Sequence, residues 1–470
     1  MIGADAPGAD EQGGLRFPGQ RRLPSWRWEA LRTTLWLVPT LLVVLAGLLF
    51  GVTFAIDLAA YHHQLTLPTW VRFETGTPDA GRQVLIAIAA AVITVVGVVF
   101  SITILALTLA SQQFGPRMMR NFVRDVGNQV TLGIFVGTFV FSVLSLGAIS
   151  APHPDFIPHL SIAVAEALSL ADLAVLIYFI HHIAKSIQLP EVIAGIARDL
   201  MHAIDSEFPE TPAEPEAGTP IGAGKSVAEL VQLIDDRGGV VPADTSGYLQ
   251  FVGYAQLVEI AARTDTVIRL NHRPGHFIVA GRPLATVWPG GTAGQVALAL
   301  GKAHVTGPHR TLMQDPVFPI DQLVEIAIRA LSPAVNDTFT ALTCIDWLAA
   351  GLSRVSGRTL SEGVYRDRFG RVRLIESDPS YPRMVNRAFD KVRQAARGMP
   401  AVIIRLMDAL ANIMEQTTSP EQRRTLARQA DMIFESARES VPDANDREDI
   451  AQRYQRVLDR IAQDPPAPEG

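Results

Sequence analysis

The chain contains a single cysteine, Cys344, among its 470 residues. One cysteine can form neither an intrachain disulfide nor a cysteine-based zinc site. The sequence also lacks the Gly-x-Ser-x-Gly turn of serine hydrolases and the His-Glu-x-x-His motif of zinc peptidases. We therefore predict no catalytic residues, no metal site and no cofactor, and we do not expect an enzyme.

Charge is also scarce. Charged residues make up 19% of the chain, and the formal net charge is -6. Proteins that bind nucleic acid usually carry a dense basic patch, whereas the 41 basic residues here are spread along the whole sequence. We therefore expect no nucleic acid among the partners of this protein.

Long apolar stretches are abundant in the first 190 or so residues. Four of them reach the roughly 20 residues that a helix needs to cross the hydrocarbon core of a bilayer. They lie at about 35–56, 84–110, 130–150 and 161–183. The first is too long for a removable signal peptide and is expected to remain. The sequence predicts four transmembrane helices in the lipid bilayer, followed by a mixed α+β, mainly helical cytoplasmic domain.

The loops between the spans set the orientation. Lys and Arg are enriched in the loops on the cytoplasmic side of a membrane. Five arginines precede the first span, namely Arg16, Arg21, Arg22, Arg27 and Arg32. Three more lie between the second and third spans, namely Arg117, Arg120 and Arg124. The loops on the opposite side are poor in Lys and Arg. We therefore predict a multi-pass membrane protein with both termini cytoplasmic.

Two acidic residues lie in the fourth predicted span. Asp172 falls near its middle, where an unpaired carboxylate is costly and normally faces water or the protein interior. It is either protonated and hydrogen-bonded to hydroxyls of other spans, such as Thr94, Ser101, Thr138 or Ser142, or it lines an ion or proton path. Glu166 is nearer the outer surface. Small residues four apart, at positions 47 and 51 and at 133 and 137, indicate close helix packing within the chain or in a homo-oligomer.

The domain organisation follows from these patterns. Beyond the spans, strands are predicted at 248–252, 266–270 and 276–280, with a helix at 254–263, and helical periodicity returns at 403–413 and 450–461. The predicted parts are a basic N-terminal segment (1–34), the four-helix membrane domain (35–188), a helix and a linker rich in Pro, Glu and Gly (189–224), a small α/β cytoplasmic domain (225–378) and a C-terminal helical segment (379–470).

The densest polar segment of the chain runs from position 309 to 340. A helix is predicted at 318–331, and Pro333 ends it, after which Asn336 is expected to cap a second helix that runs to about 353. A helix start next to arginines can hold an anion. The candidate site for an anion or a partner comprises Arg310, Thr311, Gln314, Asp315, Gln322, Arg329, Asn336 and Asp337, unless Asn336 and Asp337 only satisfy the helix ends.

Several short motifs resemble a bacterial family of predicted membrane proteins, domain of unknown function 2254. The motifs are Ala-Ser-Gln-Gln-Phe-Gly-Pro-Arg at 110–117, Arg-Asn-Phe at 120–122, Gln-Asp-Pro at 314–316, Gln-Leu-Val at 322–324 and Arg-Ala-Leu-Ser-Pro-Ala-Val-Asn-Asp at 329–337. The chain departs from the family pattern at Thr338, where proline is common, and at His276, where an acid is common. The resemblance implies an inner-membrane protein and supplies no catalytic residues.

Two hypotheses for the function remain open. In the first, the spans form an oligomeric ion channel or transporter, Asp172 lines the path, and the cytoplasmic domain gates it. In the second, the protein is a membrane-anchored sensor or regulator, and its polar segment binds a small anionic ligand or a protein partner. A pore predicts that Asp172 faces an axial cavity, whereas a sensor predicts a tight membrane bundle and a pocket around Arg310 and Arg329.

Overall fold

The structure is a computed structural model that describes residues 37–62, 77–114, 125–150, 153–208, 225–358, 363–376 and 380–462. These residues divide into two compact units between Val192 and Ile193. Residues 37–192 are called the membrane unit here, and residues 193–462 the C-terminal unit. The basic residues at 16–32 and 117–124, and the linker at 209–224, lie outside the described residues.

Four helices make up the described part of the membrane unit: α1 (Leu37–His62), α2 (Pro78–Phe114), α3 (Val126–Ala148) and α4 (His159–Ser186). Each is long enough and apolar enough to cross a membrane. Large apolar side chains such as Leu41, Leu105 and Leu170 are exposed on them, as expected where a helix surface faces lipid. The predicted class, four apolar helices followed by a mainly helical domain, is confirmed.

The helices extend beyond most of the predicted apolar stretches. The clearest case is α2, whose 37 residues span about 55 Å at 1.5 Å per residue. This length exceeds the hydrocarbon core of a bilayer, which is roughly 30 Å thick. Asp79 and Arg82 form a 3.1 Å ion pair on its first turns. Hydropathy locates only the apolar part of a helix, because backbone hydrogen bonding continues into polar residues.

Helix α3 packs against each of the other three helices of the membrane unit. Gly133 and Gly137 face α1, since a Cβ at Gly133 would overlap Leu42 and a Cβ at Gly137 would touch Ala46. This pair of glycines therefore serves packing within the chain. The other predicted pair, at positions 47 and 51, faces open space in the described structure.

Two small sheets are present among the described residues of the C-terminal unit, with strands at positions 239–307 and 364–375. The first has five strands in the order β1 (Gly239–Pro242), β5 (Pro283–Trp288), β3 (Val267–Leu270), β8 (Val372–Ile375) and β7 (Val364–Arg366). Only its β3–β8 pair is parallel. The second sheet is antiparallel, in the order β4 (Phe277–Ile278), β2 (Gly247–Val252) and β6 (His304–Gly307). The strand predicted at 276–280 is therefore only two residues long.

Most of the other described residues of the C-terminal unit are helical. Helices α6 (Val227–Arg237), α7 (Tyr254–Arg263) and α8 (Ala293–Ala303) accompany the strands, and the helix predicted at 254–263 is confirmed. Helices α9 (Val317–Ala330), α10 (Thr338–Ser356), α11 (Tyr381–Ala395), α12 (Pro400–Glu415), α13 (Pro420–Ser440) and α14 (Ala444–Ala462) pack into a bundle. The predicted helical periods are confirmed, because Leu406, Leu410, Ile450 and Val457 are buried.

Helix α5 (Leu189–Glu207) crosses the division between the two units. Its later turns pack on α10, where a Cβ at Gly351 would overlap Leu200. Arg358, which follows α10, donates to the carbonyl oxygens of Ile204 at 3.1 Å and Phe208 at 2.5 Å. An arginine at these last carbonyls satisfies acceptors that have no partner within the helix. The end of α5, including Glu207, is thereby held in place.

Candidate functional site

Arg310, one of the two arginines of the predicted site, is engaged by two carboxylates. Its Nη2 lies 2.7 Å from Oδ2 of Asp315, and its Nη1 lies 2.5 Å from Oδ2 of Asp321. Its guanidinium group also lies 5.1 Å from the ring centre of Phe318. Burial acts to raise the pKa of Asp321, but hydrogen bonds from Arg387 and Arg310 hold it below its ordinary value. This arrangement neutralises Arg310 within the protein and does not favour an anion beside it.

Gln314 and Thr311 hold the neighbouring strand. The carboxamide of Gln314 accepts a 2.8 Å hydrogen bond from the backbone N–H of Val252 and donates a 3.1 Å hydrogen bond to its carbonyl oxygen. The side chain thus satisfies both backbone groups of one residue at the end of β2. Thr311 donates to the carbonyl oxygen of Gln250 at 3.4 Å. These two members of the predicted site fix the loop after β6 against the sheet.

The start of α10 differs from the prediction. Asp337, not Asn336, is the N-cap, and its carboxylate accepts hydrogen bonds from the backbone N–H of Thr340 at 3.1 Å and from its hydroxyl at 2.6 Å. Asn336 has a positive φ of 49°, a backbone conformation that asparagine tolerates better than most residues. Gln322 is buried on α9, and Arg329 is half-buried near the end of that helix.

Asp315 also lines a cavity of about 50 Å³. It is called the Glu207 pocket here. Glu207 comes from the end of α5, Tyr254 from α7, Tyr365 from β7 and Glu376 from the residue after β8, while Gln314, Asp315 and Arg273 complete the polar lining. Sequence reasoning missed the first four of these residues. No motif joins them, because they lie far apart in the chain and only the fold brings them together.

Two stacked tyrosines hold Glu376 at this pocket. The rings of Tyr254 and Tyr365 are 5.0 Å apart and nearly parallel, at an interplanar angle of 10°. Tyr254 donates a 2.6 Å hydrogen bond to Oε1 of Glu376, and Tyr365 donates a 3.1 Å hydrogen bond to Oε2. Burial and the charge of Glu376 raise the pKa of both phenols above the ordinary value. Both tyrosines therefore stay protonated donors at neutral pH.

Glu207 is the least satisfied of the acidic groups in the pocket. Its Oε1 is buried and has no hydrogen-bond partner among the residues that the structure describes. Burial, the charge of Glu376 and the charge of Asp315 raise the pKa of Glu207 to about 8. A carboxyl with this pKa is mostly protonated at pH 7.

The loop that carries Arg273 approaches Asp315 closely. Gly275 has a φ of 90°, and a Cβ at this position would overlap the Asp315 carboxylate. Glycine is required there by both the backbone conformation and the lack of space. The next residue, His276, has its pKa lowered to about 4 by burial and by the charge of Arg273. It is therefore neutral at pH 7.

In the membrane unit, Asp172 is buried inside the helix bundle. Thr138 of α3 donates a 3.1 Å hydrogen bond to Oδ1 of Asp172, and Ser142 donates to the backbone carbonyl of Thr138 at 2.8 Å. Thr94 and Ser101, which were also predicted as partners of Asp172, donate to the backbone of their own helix. Oδ2 of Asp172 has no hydrogen-bond partner among the described residues. Glu166 is half-buried on the same helix, α4.

Sequence reasoning also missed a second buried acid in the membrane unit. Asp57, on the last turns of α1, accepts hydrogen bonds from the backbone N–H groups of Leu160 at 2.8 Å and Ser161 at 3.0 Å, and from the Ser161 hydroxyl at 2.8 Å. It thus caps the start of α4 from another helix, where the helix dipole favours a negative charge. The predicted first span stopped one residue short of it.

A third polar pair joins α3 and α4 at the opposite end of the membrane unit. Asp125 is the N-cap of α3 and accepts a 2.8 Å hydrogen bond from the backbone N–H of Gly127. The other carboxylate oxygen of Asp125 lies 2.6 Å from Nε2 of His182 on α4. Each end of α4 is therefore tied to a neighbouring helix by an aspartate.

The structure thus combines four helices that are long and apolar enough to cross a membrane with an α+β, mainly helical C-terminal unit that carries the pocket. Residues 32–412 match the family model described as predicted membrane protein (DUF2254), and the chain belongs to this family. Similar proteins include "Uncharacterized protein Rv1290c" of Mycobacterium tuberculosis (strain ATCC 25618 / H37Rv) and "Uncharacterized protein Mb1321c" of Mycobacterium bovis (strain ATCC BAA-935 / AF2122/97). Each is 32% identical over 450 residues, which cover 92% of this chain and 82% of the relative. No solved structure matches the chain significantly.

Proposed function

We propose that the protein is a membrane-anchored sensor or regulator whose C-terminal unit binds a small ligand in the Glu207 pocket. The observation that carries this proposal is the convergence of Glu207, Tyr254, Tyr365 and Glu376 from four separate elements on one cavity. Buried ionisable groups with strongly shifted pKa values concentrate at functional sites. In this proposal the spans anchor the C-terminal unit, and the protein performs no catalysis.

The polar contacts of the membrane unit support an anchoring role. Asp172 and Asp57, both buried acids, are each hydrogen-bonded to a neighbouring helix. Such contacts fix helices in a bundle, since a polar group in the membrane is stabilised by pairing within the protein. The contacts of Asp172 therefore fit a tightly packed helix bundle better than an open axial cavity.

A second candidate function, an oligomeric ion channel or transporter, retains one specific observation in its favour. Oδ2 of Asp172 is buried and lacks a hydrogen-bond partner in the described part of the chain. An ion or proton path through an oligomer would supply a partner for this oxygen. In that case Asp172 would take part in permeation, with the C-terminal unit as the gate.

We further propose that the protein lies in the bacterial inner membrane as a homo-oligomer, with both termini in the cytoplasm. The support for the orientation is the excess of arginine before the first span and between the second and third. The open face of α1 at Gly47 and Gly51 supports assembly, because small residues allow close helix approach. A reporter fused to the C-terminus, active only in the cytoplasm, tests the orientation.

Ion flux through the full chain reconstituted in liposomes separates the two functions. The parent and Asp172→Asn are compared with protein-free liposomes for flux of K⁺, Na⁺, Cl⁻ and H⁺, under applied voltage and across pH. A sensor gives no flux above the protein-free level with either protein. Flux through the parent that Asp172→Asn alters would instead support the channel or transporter and contradict the sensor proposal.

A further inference from the structure

We infer that the Glu207 pocket binds the protonated nitrogen of a small primary amine, held by Glu207 and Glu376 beside the stacked rings of Tyr254 and Tyr365. This inference rests on the proposed function and names the chemical class of the ligand. It reverses the charge that the sequence led us to expect, since the polar segment predicted a small anion.

The charges at the pocket favour a cation. Glu207, Glu376 and Asp315 contribute three carboxylates, while Arg273 in the lining and Arg310 behind Asp315 contribute two guanidinium groups. Once Glu207 has lost its proton and all five groups are ionised, these groups carry one net negative charge. A ligand with a single positive charge balances it, whereas an anion would add to the repulsion between Glu207 and Glu376.

The buried oxygen of Glu207 calls for a donor. A buried acceptor without a partner costs on the order of 1–3 kcal/mol, and Oε1 of Glu207 has none among the described residues. A primary ammonium group carries three N–H donors, enough for Glu207 and an oxygen of Glu376 together. Among the described residues, no group of three or more His, Cys, Asp or Glu side chains could hold a metal ion, so an organic cation fits better.

The size and the aromatic lining limit the ligand further. The cavity of about 50 Å³ has room for a few atoms, because roughly 10–15 Å³ suffices for one water molecule. A methylammonium-sized head fits this space, whereas a quaternary ammonium is bulkier and offers no N–H. Tyrosine rings also attract a cation through their electron-rich faces, and Tyr254 and Tyr365 both line the cavity.

Binding is linked to release of a proton. Glu207 holds its proton at neutral pH because its pKa is raised to about 8, so an arriving ammonium displaces that proton. The charged and titratable groups around Glu207 are Glu376, Asp315 and Arg273, the two tyrosines, and the Arg358–Asp205 ion pair at the end of its own helix. Affinity is then expected to rise about tenfold per pH unit up to about pH 8.

Isothermal titration calorimetry of the full chain in detergent micelles tests this inference. Methylammonium chloride is titrated into the parent at pH 6, 7 and 8, in two buffers that differ in ionisation enthalpy, so that released protons are counted. Tetramethylammonium has the same charge without N–H donors, and inorganic phosphate tests an anion. We expect methylammonium to bind with release of about one proton at pH 7, and tetramethylammonium and phosphate to bind at least tenfold more weakly.

Two matched variants locate the site. Glu207→Gln keeps the shape of the side chain and is expected to weaken methylammonium binding at least tenfold and to abolish the proton release. Glu439→Gln removes an exposed carboxylate that pairs with Arg397 on the bundle surface, and should bind as the parent does. Thermal melting of each variant checks folding, and proton release by the parent remains informative if Glu207→Gln does not fold.

The outcomes separate the ligand class from the proposed function. Three results would overturn the amine inference and leave the sensor proposal standing. They are tight phosphate binding, methylammonium binding that is unchanged in Glu207→Gln, and methylammonium binding that releases no proton. Absence of methylammonium binding to the folded parent would overturn it as well. Ion flux through reconstituted protein that binds methylammonium as expected would overturn the sensor proposal and leave the amine site.

Discussion

Tyr254 and Glu376 are joined by a 2.6 Å hydrogen bond, although 122 residues separate them in sequence. Tyr254 begins α7, and Glu376 follows the last strand of the five-stranded sheet. The bond therefore connects the helix that covers the sheet to the end of β8. It also fixes a carboxylate that lines the same pocket as Glu207.

Replacing Tyr254 by Phe is expected to lower the free energy of unfolding. The change removes a buried donor to an ionised carboxylate, and hydrogen bonds to charged groups contribute about 1.5–3 kcal/mol. Chemical denaturation of the full chain in micelles, followed by tryptophan fluorescence, measures the loss. Tyr454→Phe is the matched control, because Tyr454 donates a 2.7 Å hydrogen bond to Asp431 at an exposed site, and less than about 1 kcal/mol is expected there. Equal losses would contradict the account.

Stability is expected to fall as pH rises from about 5 to 8. The pKa of Glu207 is raised to about 8 in the folded chain, whereas an unfolded glutamate titrates near 4.3. Between these values the folded state binds more protons than the unfolded state. Each pH unit then removes up to about 1.4 kcal/mol, and the loss levels off above pH 8. The melting temperature of the parent, measured as a function of pH, tests this loss of stability, and its pH dependence should be weaker in Glu207→Gln. The same pH dependence in the parent and in Glu207→Gln would show that Glu207 does not have a raised pKa.

Replacing Arg310 by Met is expected to destabilise the C-terminal unit strongly. Asp315 and Asp321 would both lose a buried partner, and removing one member of a buried ion pair costs about 3–5 kcal/mol. Arg387→Met is the comparison, since Arg387 also pairs with Asp321 but its side chain is 44% exposed. Denaturation midpoints of the two variants should differ clearly, with Arg310→Met the less stable. If Arg387→Met is instead the less stable variant, Arg310 is not the main partner of the buried carboxylates.

In the membrane unit, Asp57→Leu is expected to loosen the start of α4. It removes the acceptor for two backbone N–H groups and one hydroxyl, and loss of a helix cap costs about 0.5–2 kcal/mol. Asp57→Asn keeps one acceptor oxygen and should lose less. Unfolding in a titration with denaturing detergent measures both variants. If Asp57→Leu is as stable as Asp57→Asn, the cap contributes nothing to stability.

The membrane helices could be predicted from the sequence, whereas the pocket could not. Each span is a local signal, since about 20 apolar residues in a row suffice to indicate it. The helix at 254–263 was predicted correctly for a similar reason, because its apolar residues recur with the helical period. The start of α2 was missed because Asp79 and Arg82 look polar in a hydropathy profile, although they belong to the helix.

The ligand site depended on tertiary contacts that no local pattern encodes. Glu207 precedes a linker, and Glu376 follows a short strand, so neither looked distinctive in sequence. Arg310 looked like an anion-binding residue because Asp315 and Asp321 were not recognised as its partners. Likewise, Asn336 was preferred as a helix cap over Asp337, since both residue types cap helices and only the backbone conformation distinguishes them.

Infrared difference spectroscopy of the Glu207 carboxyl tests the central claim, that the Glu207 pocket is the ligand site, most directly. The full chain in micelles at pH 7 is measured with and without methylammonium, and Glu207→Gln assigns the carboxyl band. The account predicts that the parent shows a protonated carboxyl absent from Glu207→Gln, and that methylammonium converts it to a carboxylate. A Glu207 that is already ionised at pH 7, or one that keeps its proton when methylammonium is added, would contradict the account.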